Sequence, residues 1–196
     1  MIKVKICGIT NLEDALIAVK AGADALGFVF YEKSPRYITP KKALEIVKQL
    51  PPFVERVGLF VNSTSTEINS TCKESHMSMA QIHFEAKETL FFKLELPYLR
   101  VIRATCKEDI NNYCDEYRIV DAFVQSYGGE GKRVDISWFK GIDCSKIILA
   151  GGLTCSNLDE VKDLGFYAFD VSSGVEKTKG KKDSKKIYEF IKRAKI

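Results

Sequence analysis

No stretch of the 196 residues approaches the eighteen or so uninterrupted apolar residues that a membrane-spanning helix requires. The opening Met-Ile-Lys-Val-Lys-Ile-Cys-Gly lacks the long apolar core and small-residue cleavage site of a secretion signal. A strong charge excess is missing too. Thirty Lys and Arg stand against twenty-six Asp and Glu, and a formal +4 does not demand a nucleic acid as partner. The six cysteines, at 7, 72, 106, 114, 144 and 155, include no pair with the two-residue gap of a zinc knuckle or thioredoxin site. Both histidines, His76 and His83, lie far from any cysteine pair. Without a secretion signal a disulfide framework is not expected, and most of these thiols read as small hydrophobes. These absences leave a cytoplasmic globular chain, 45% hydrophobic and 29% charged, long enough for one sizeable core. No compositional shift marks a linker, so residues 1–196 read as one domain.

What is present is an unbroken alternation of short apolar runs and longer amphipathic stretches. Val4–Ile6, Ala25–Phe30, Val57–Val61, Met79–Ile82, Leu99–Ile102, Ile119–Val120, Ile147–Leu149 and Ala168–Val171 have the β-branched, charge-poor character of strands covered on both faces. Helical patterns fall between them, at Leu12–Ala21, Lys41–Leu50, Thr66–Glu74, Ala86–Glu95, Glu108–Glu116, near Ser137, Ser156–Leu164 and Ser184–Lys195. Asn11 and Ser156 offer helix starts; Gly22 and Gly165 stand where left-handed caps would close two of these helices. Eight strand-helix units of about 24 residues imply a parallel sheet, and their number favours a closed (β/α)8 barrel, lean and short in its loops.

In such a sheet the chemistry gathers where strands run out into helices. Cys7 ends the first strand there, Tyr31–Arg36 follow the second, His83 the fourth and Asp121 the sixth. Gly151 and Gly152 follow the seventh, and Ser172, Ser173 and Gly174 the eighth. Both of these last turns expose backbone N–H groups suited to an anion, and loops after strands seven and eight form the common phosphate site of such barrels. Taken singly, each residue is an ordinary packing thiol, loop acid or connector. Their collection at one end of one barrel gives them meaning. Lys5 shares a face with Cys7, two residues on, and lies one layer deeper. A buried ammonium needs a partner, and Asp170 on the adjoining eighth strand is the candidate. The Lys5 charge would favour the Cys7 thiolate.

Six segments give a more specific reading: Lys-Ile-Cys-Gly-Ile-Thr (5–10), Ser-Pro-Arg-Tyr-Ile (34–38), Gln-Ile-His (81–83), Val-Asp with Gly-Gly-Glu-Gly-Lys (120–132), Leu-Ala-Gly-Gly-Leu (149–153) and Phe-Asp-Val-Ser-Ser-Gly-Val-Glu (169–176). In this order they closely resemble the phosphoribosylanthranilate isomerase family, from residue 2 to about 176. The resemblance implies a (β/α)8 barrel of tryptophan biosynthesis that performs an Amadori rearrangement of N-(5-phosphoribosyl)anthranilate, an aminoaldose, to an aminoketose, with no cofactor and no metal. It assigns Cys7 as general base at the ribose C2 and Asp121 as general acid at the furanose oxygen. It assigns Arg36 to the anthranilate carboxylate, and groups around Gly152 and Ser172–Gly174 to the phosphate. Phe84 stands where the family usually has Gly, and Glu130 where a small hydroxyl residue is common.

The expected partner is the small-molecule substrate, with no nucleic acid and no membrane, in a monomer or homodimer. The rival class rests on the tail, where nine Lys or Arg and two acids lie between Lys177 and Ile196, as a nucleic-acid site would require. Yet Ile187, Phe190, Ile191 and Ala194 keep helical spacing, which reads as a last helix docked on the barrel. A second enzyme reading, another phosphosugar barrel isomerase such as that of the histidine pathway, uses an Asp base in its first strand and repeats half against half. Cys7 and the absent repeat argue against it.

Overall fold

A computed structural model of the chain describes residues 1–122 and 133–196. Eight parallel strands close in sequence order into a barrel: β1 (Lys3–Cys7), β2 (Ala25–Val29), β3 (Glu55–Phe60), β4 (Met79–Ile82), β5 (Tyr98–Ala104), β6 (Arg118–Ala122), β7 (Ile147–Leu149) and β8 (Ala168–Val171). Closure is made by β1 on β8, with Lys5 opposite Asp170 and Ile6 opposite Val171. All eight expected strands are there, three with their expected ends. Alternation sends one set of side chains inward, where Leu99, Val101, Ile119, Ile148, Ala150 and Ala168 fill the barrel floor. The other set, including Val4, Ile6, Leu26, Phe28, Ile82 and Phe169, packs outward beneath the helices.

The outer layer is less regular than the sequence periodicity predicts. Helices α1 (Leu12–Ala21), α2 (Pro40–Val47) and α3 (Ser65–Ser75) form where expected. Asn11 caps α1 by accepting from the Asp14 N–H, and Gly22 ends it at φ 100°, a left-handed conformation that costs glycine little. The next four expected helices shrink. In place of 86–95 there is one turn, α4 (Glu88–Phe91), with Phe91 buried and the adjoining Phe92 exposed. Glu108–Asn111, Ile136–Phe139 and Leu158–Glu160 are 3-10 turns. Leu158 and Val161, both fully buried, lie three residues apart, the spacing that a 3-10 turn stacks on one side. Asn157 rather than Ser156 organises that start, accepting from the Thr154 N–H at 2.9 Å. Gly165 is left-handed at φ 78°, but it closes a run of turns and not a helix.

The end of the chain adds a feature the sequence reading lacked. A small antiparallel hairpin, β9 (Glu176–Thr178) with β10 (Lys181–Lys182), follows β8. The Lys182 N–H donates to Asp14 Oδ2 at 2.8 Å, and Thr10 Oγ1 donates to the Gly180 carbonyl at 2.7 Å, fastening the hairpin to the β1–α1 connection. Helix α5 (Ser184–Lys195) then buries Ile187, Phe190, Ile191 and Ala194, the four residues whose spacing predicts docking, and packs against α1.

Candidate active site

Inward alternation on the barrel strands brings Lys5 and Cys7 of β1, Gln81 of β4 with His83 beyond it, Arg103 of β5, Asp121 of β6 and Asp170 of β8 to the carboxyl-terminal half of the interior. Lys5 lies as expected, 4% exposed, with Nζ 2.9 and 3.0 Å from the two Asp170 carboxylate oxygens. Gly27 of β2 makes room above it. A Cβ there would fall 2.8 Å from Cys7 Sγ and 3.0 Å from Lys5 Nζ, so any larger residue would displace the thiol. The β1–β2 register, Cys7 opposite Gly27, is what aligns them.

Cys7 is buried, and the Lys5 charge favours its thiolate as expected without deciding the net balance. Burial pushes its thiol above the ordinary value, and the Lys5 and Lys182 charges pull it back only in part. Asp170 adds to the upward push. The neutral thiol is therefore favoured, because desolvation outweighs a cation already engaged by a carboxylate. Asp121 is 9% exposed, and burial, then the Asp170 charge, push it up to about 7. Its Oδ1 accepts from the Ala122 N–H at 2.8 Å, and its Oδ2 lies 3.8 Å from His83 Nε2. Burial drives His83 down to about 3, so its imidazole is neutral. His83 Nδ1 lies 3.3 Å from Gln81 Nε2, which gives the ring a neighbour on its other side.

Arg36 is buried too, held bidentately by Glu176 with Nε and Nη2 each 2.7 Å from a carboxylate oxygen. Gly151 and Gly152 take left-handed φ values of 87° and 62°, turning the chain after β7. The loop after β8 meets them directly. A Cβ on Gly174 would collide with the Leu153 carbonyl, so only glycine lets the two turns close together. Ser172, Ser173 and Gly174 remain half-buried at that junction, and Ser172 Oγ donates to the Cys7 carbonyl at 3.0 Å. Among the described residues, no group of three or more His, Cys, Asp or Glu side chains is placed to hold a metal ion. Phe84 is half-buried against the outer core. Glu130 and the rest of the Gly-Gly-Glu-Gly-Lys segment lie outside the described residues.

Sequence reasoning missed Gly27, Arg103, Glu176 and Lys182. Arg103 was findable, since it is two and four residues from Val101 and Leu99 and must share their inward face. Glu176 closes the last of the six segments but had no role assigned to it, and Lys182 gave no local signal. Their importance depends on a hairpin that folds back over β1 and β8.

In comparison with known proteins, residues 4–193 match the family described as N-(5'phosphoribosyl)anthranilate (PRA) isomerase. A protein of a Nitratiruptor species, named N-(5'-phosphoribosyl)anthranilate isomerase, is 61% identical over 194 residues, covering 99% of each chain. The crystal structure of phosphoribosyl anthranilate isomerase from Thermotoga maritima is 41% identical, with a TM-score of 0.91 over 100% of this chain and 99% of that one. A further crystal structure, 37% identical with a TM-score of 0.87 over the same shares, is of such an isomerase in complex with reduced 1-(o-carboxyphenylamino)-1-deoxyribulose 5-phosphate.

Proposed function

The chain belongs to the N-(5'-phosphoribosyl)anthranilate isomerase family, and from that premise we propose how its own residues carry the reaction. The enzyme is an isomerase of tryptophan biosynthesis that takes a small-molecule substrate and converts phosphoribosylanthranilate to 1-(2-carboxyphenylamino)-1-deoxyribulose 5-phosphate. In our reading the phosphate is held between Gly151–Gly152 and Ser172–Gly174, and the aryl carboxylate by Arg36. Asp121, protonated, gives its proton to the furanose oxygen as the C1–O bond breaks and the anilino nitrogen lone pair forms the C1=N bond. Cys7, as thiolate, removes the C2 proton, and the C2–H electron pair moves toward C1 and the iminium nitrogen. The resulting enolamine tautomerises to the ketone. Lys5 and Asp170 set the electrostatic balance between base and acid, and neutral His83 packs beside the acid.

The observation that supports this best is the pairing of an inward thiol and an inward carboxyl of raised pKa around the same Lys5–Asp170 pair. Two groups whose protons are held in one pocket suit a reaction that gives one proton and takes another. Expressed protein should consume phosphoribosylanthranilate, followed as loss of its fluorescence. Cys7→Ala and Asp121→Asn should each lower kcat by at least about 10²-fold while the reduced product analogue binds within about tenfold. A variant of either residue that kept near-parental turnover would remove that residue from the mechanism. No helix among the described residues is long and apolar enough to cross a membrane. For an enzyme of amino-acid biosynthesis we propose a cytoplasmic location, checked by cell fractionation.

A further inference from the structure

The pair that holds Arg36 belongs to a larger buried cluster. Glu176 Oε1 accepts from Arg36 Nε at 2.7 Å, from Lys182 Nζ at 3.0 Å and from the Gly180 N–H at 3.3 Å. Lys182 Nζ also donates to the Ser172 carbonyl at 3.1 Å and approaches Ser172 Oγ at 3.4 Å. Three acceptors thus meet the three donors of an ammonium. The side chains of Lys182 and Glu176 are 1% and 5% exposed, that of Arg36 8%. The neighbouring Asp14 carboxylate is engaged elsewhere, by the Lys182 main-chain N–H and the Asn11 amide, both at 2.8 Å.

Two buried cations therefore share one carboxylate. Buried charges are costly unless balanced, so a surplus cation at an anion-binding mouth is an arrangement that an anionic ligand completes. Had Glu176 only Arg36 as partner, the bidentate pair would be neutral and would hold a second carboxylate weakly. We propose that Lys182 is a positioning residue for substrate recognition: by sharing Glu176 it leaves Arg36 a positive charge not cancelled by that carboxylate, and this charge selects the aryl carboxylate of the substrate. The inference rests on reading Arg36 as the contact for that carboxylate.

The test compares two ligands, the reduced product analogue and the same compound lacking the aryl carboxylate, by calorimetry on four proteins. The parent should prefer the carboxylate-bearing ligand, and Arg36→Ala should lose that preference. Lys182→Met should lower the preference about tenfold, because the cluster becomes neutral. The double variant Glu176→Gln/Lys182→Met carries Arg36 alone, again at +1, and should recover the preference to within about threefold. Its net charge equals that of the parent cluster, and the substituted amide oxygen can still accept from Arg36, so it serves alone where Lys182→Met does not fold. A purely structural role for Lys182 would weaken both ligands equally, and that result overturns the inference. So does a double variant that stays as indiscriminate as Lys182→Met, or, where that single variant does not fold, one that falls short of the parent. If Arg36→Ala kept the preference, the reading of Arg36 would fail instead, which is a different outcome from Lys182 alone having no effect.

Discussion

Asp121 and Cys7 have opposite tasks in the proposed mechanism but are displaced in the same direction, both upward, because both are buried beside Asp170. The proposed mechanism requires the acid protonated and the thiol ionised. With the acid near 7 and the thiol higher, that combination is a minor species whose population rises with pH to about 7. It then levels, since each gain in thiolate is cancelled by loss of the acid. The profile of kcat/KM against pH should bend at about 7, and Asp170→Asn should move the bend downward by removing the like charge beside Asp121. An unmoved bend would assign it to another group. The same burial affects stability. A carboxyl whose folded pKa lies above its unfolded value contributes fully below about pH 4, and that contribution is lost as pH rises through about 7. Asp121→Asn should therefore melt above the parent at pH 8, by at most about 4 kcal/mol, with the gain vanishing toward pH 4. Calorimetric scans at the two pH values decide it. Cys7→Ser tests the base most directly. A hydroxyl keeps the shape but ionises far less readily, so turnover should fall at least about 10²-fold.

Among the elements, strands were legible in the sequence and half the helices were not. A barrel strand must be apolar on both faces, so Ile147–Leu149 and Ala168–Val171 stand out even at three or four residues. A segment that has only to cover the next strand can do so with one turn, as Phe91 does by meeting Tyr98 at 4.8 Å. The Glu108–Glu116 and Ser156–Leu164 patterns keep helical spacing at Ile110, Tyr113 and Cys114 and at Leu158, Val161 and Leu164, but only Ile110, Leu158 and Val161 are buried, so neither segment lays a full stripe on the core. Helix α5 is the counterexample, with a stripe that is complete and buried. Phe190, fully buried on it, should cost about 3–5 kcal/mol when replaced by Ala, measured by denaturant unfolding. A cost under about 1 kcal/mol would mean that α5 is dispensable to the barrel.

At the scale of the whole molecule the barrel leaves no open edge among its eight strands, and its two last loops close on each other at Gly174 and Leu153. A dianion bound there would link β7 to β8 and stabilise the entire fold by mass action. Inorganic phosphate at about a hundred times its dissociation constant should add about 2.7 kcal/mol, read as a higher melting temperature. Gly152→Asp should abolish that rise and raise KM strongly, since it puts a carboxylate beside the dianion at a φ of 62° that Asp tolerates. A phosphate response that survives in Gly152→Asp would locate the anion elsewhere.

The sequence by itself determined the barrel and the end of it where Cys7, Asp121, Gly151–Gly152 and Ser172–Gly174 gather. These follow from period-two alternation and strand order, which are local properties of the chain. It also determined that Lys5 would need Asp170, because closure of eight parallel strands puts the first beside the last. Tertiary structure alone decided the protonation balance at Cys7, where desolvation by the surrounding barrel outweighs a lysine two residues away. It likewise decided that Arg36 is gripped by Glu176 across 140 positions of sequence and that Lys182 shares that carboxylate. Burial and long-range charge pairing are sums over neighbours brought from distant strands, and no short segment of sequence contains those neighbours.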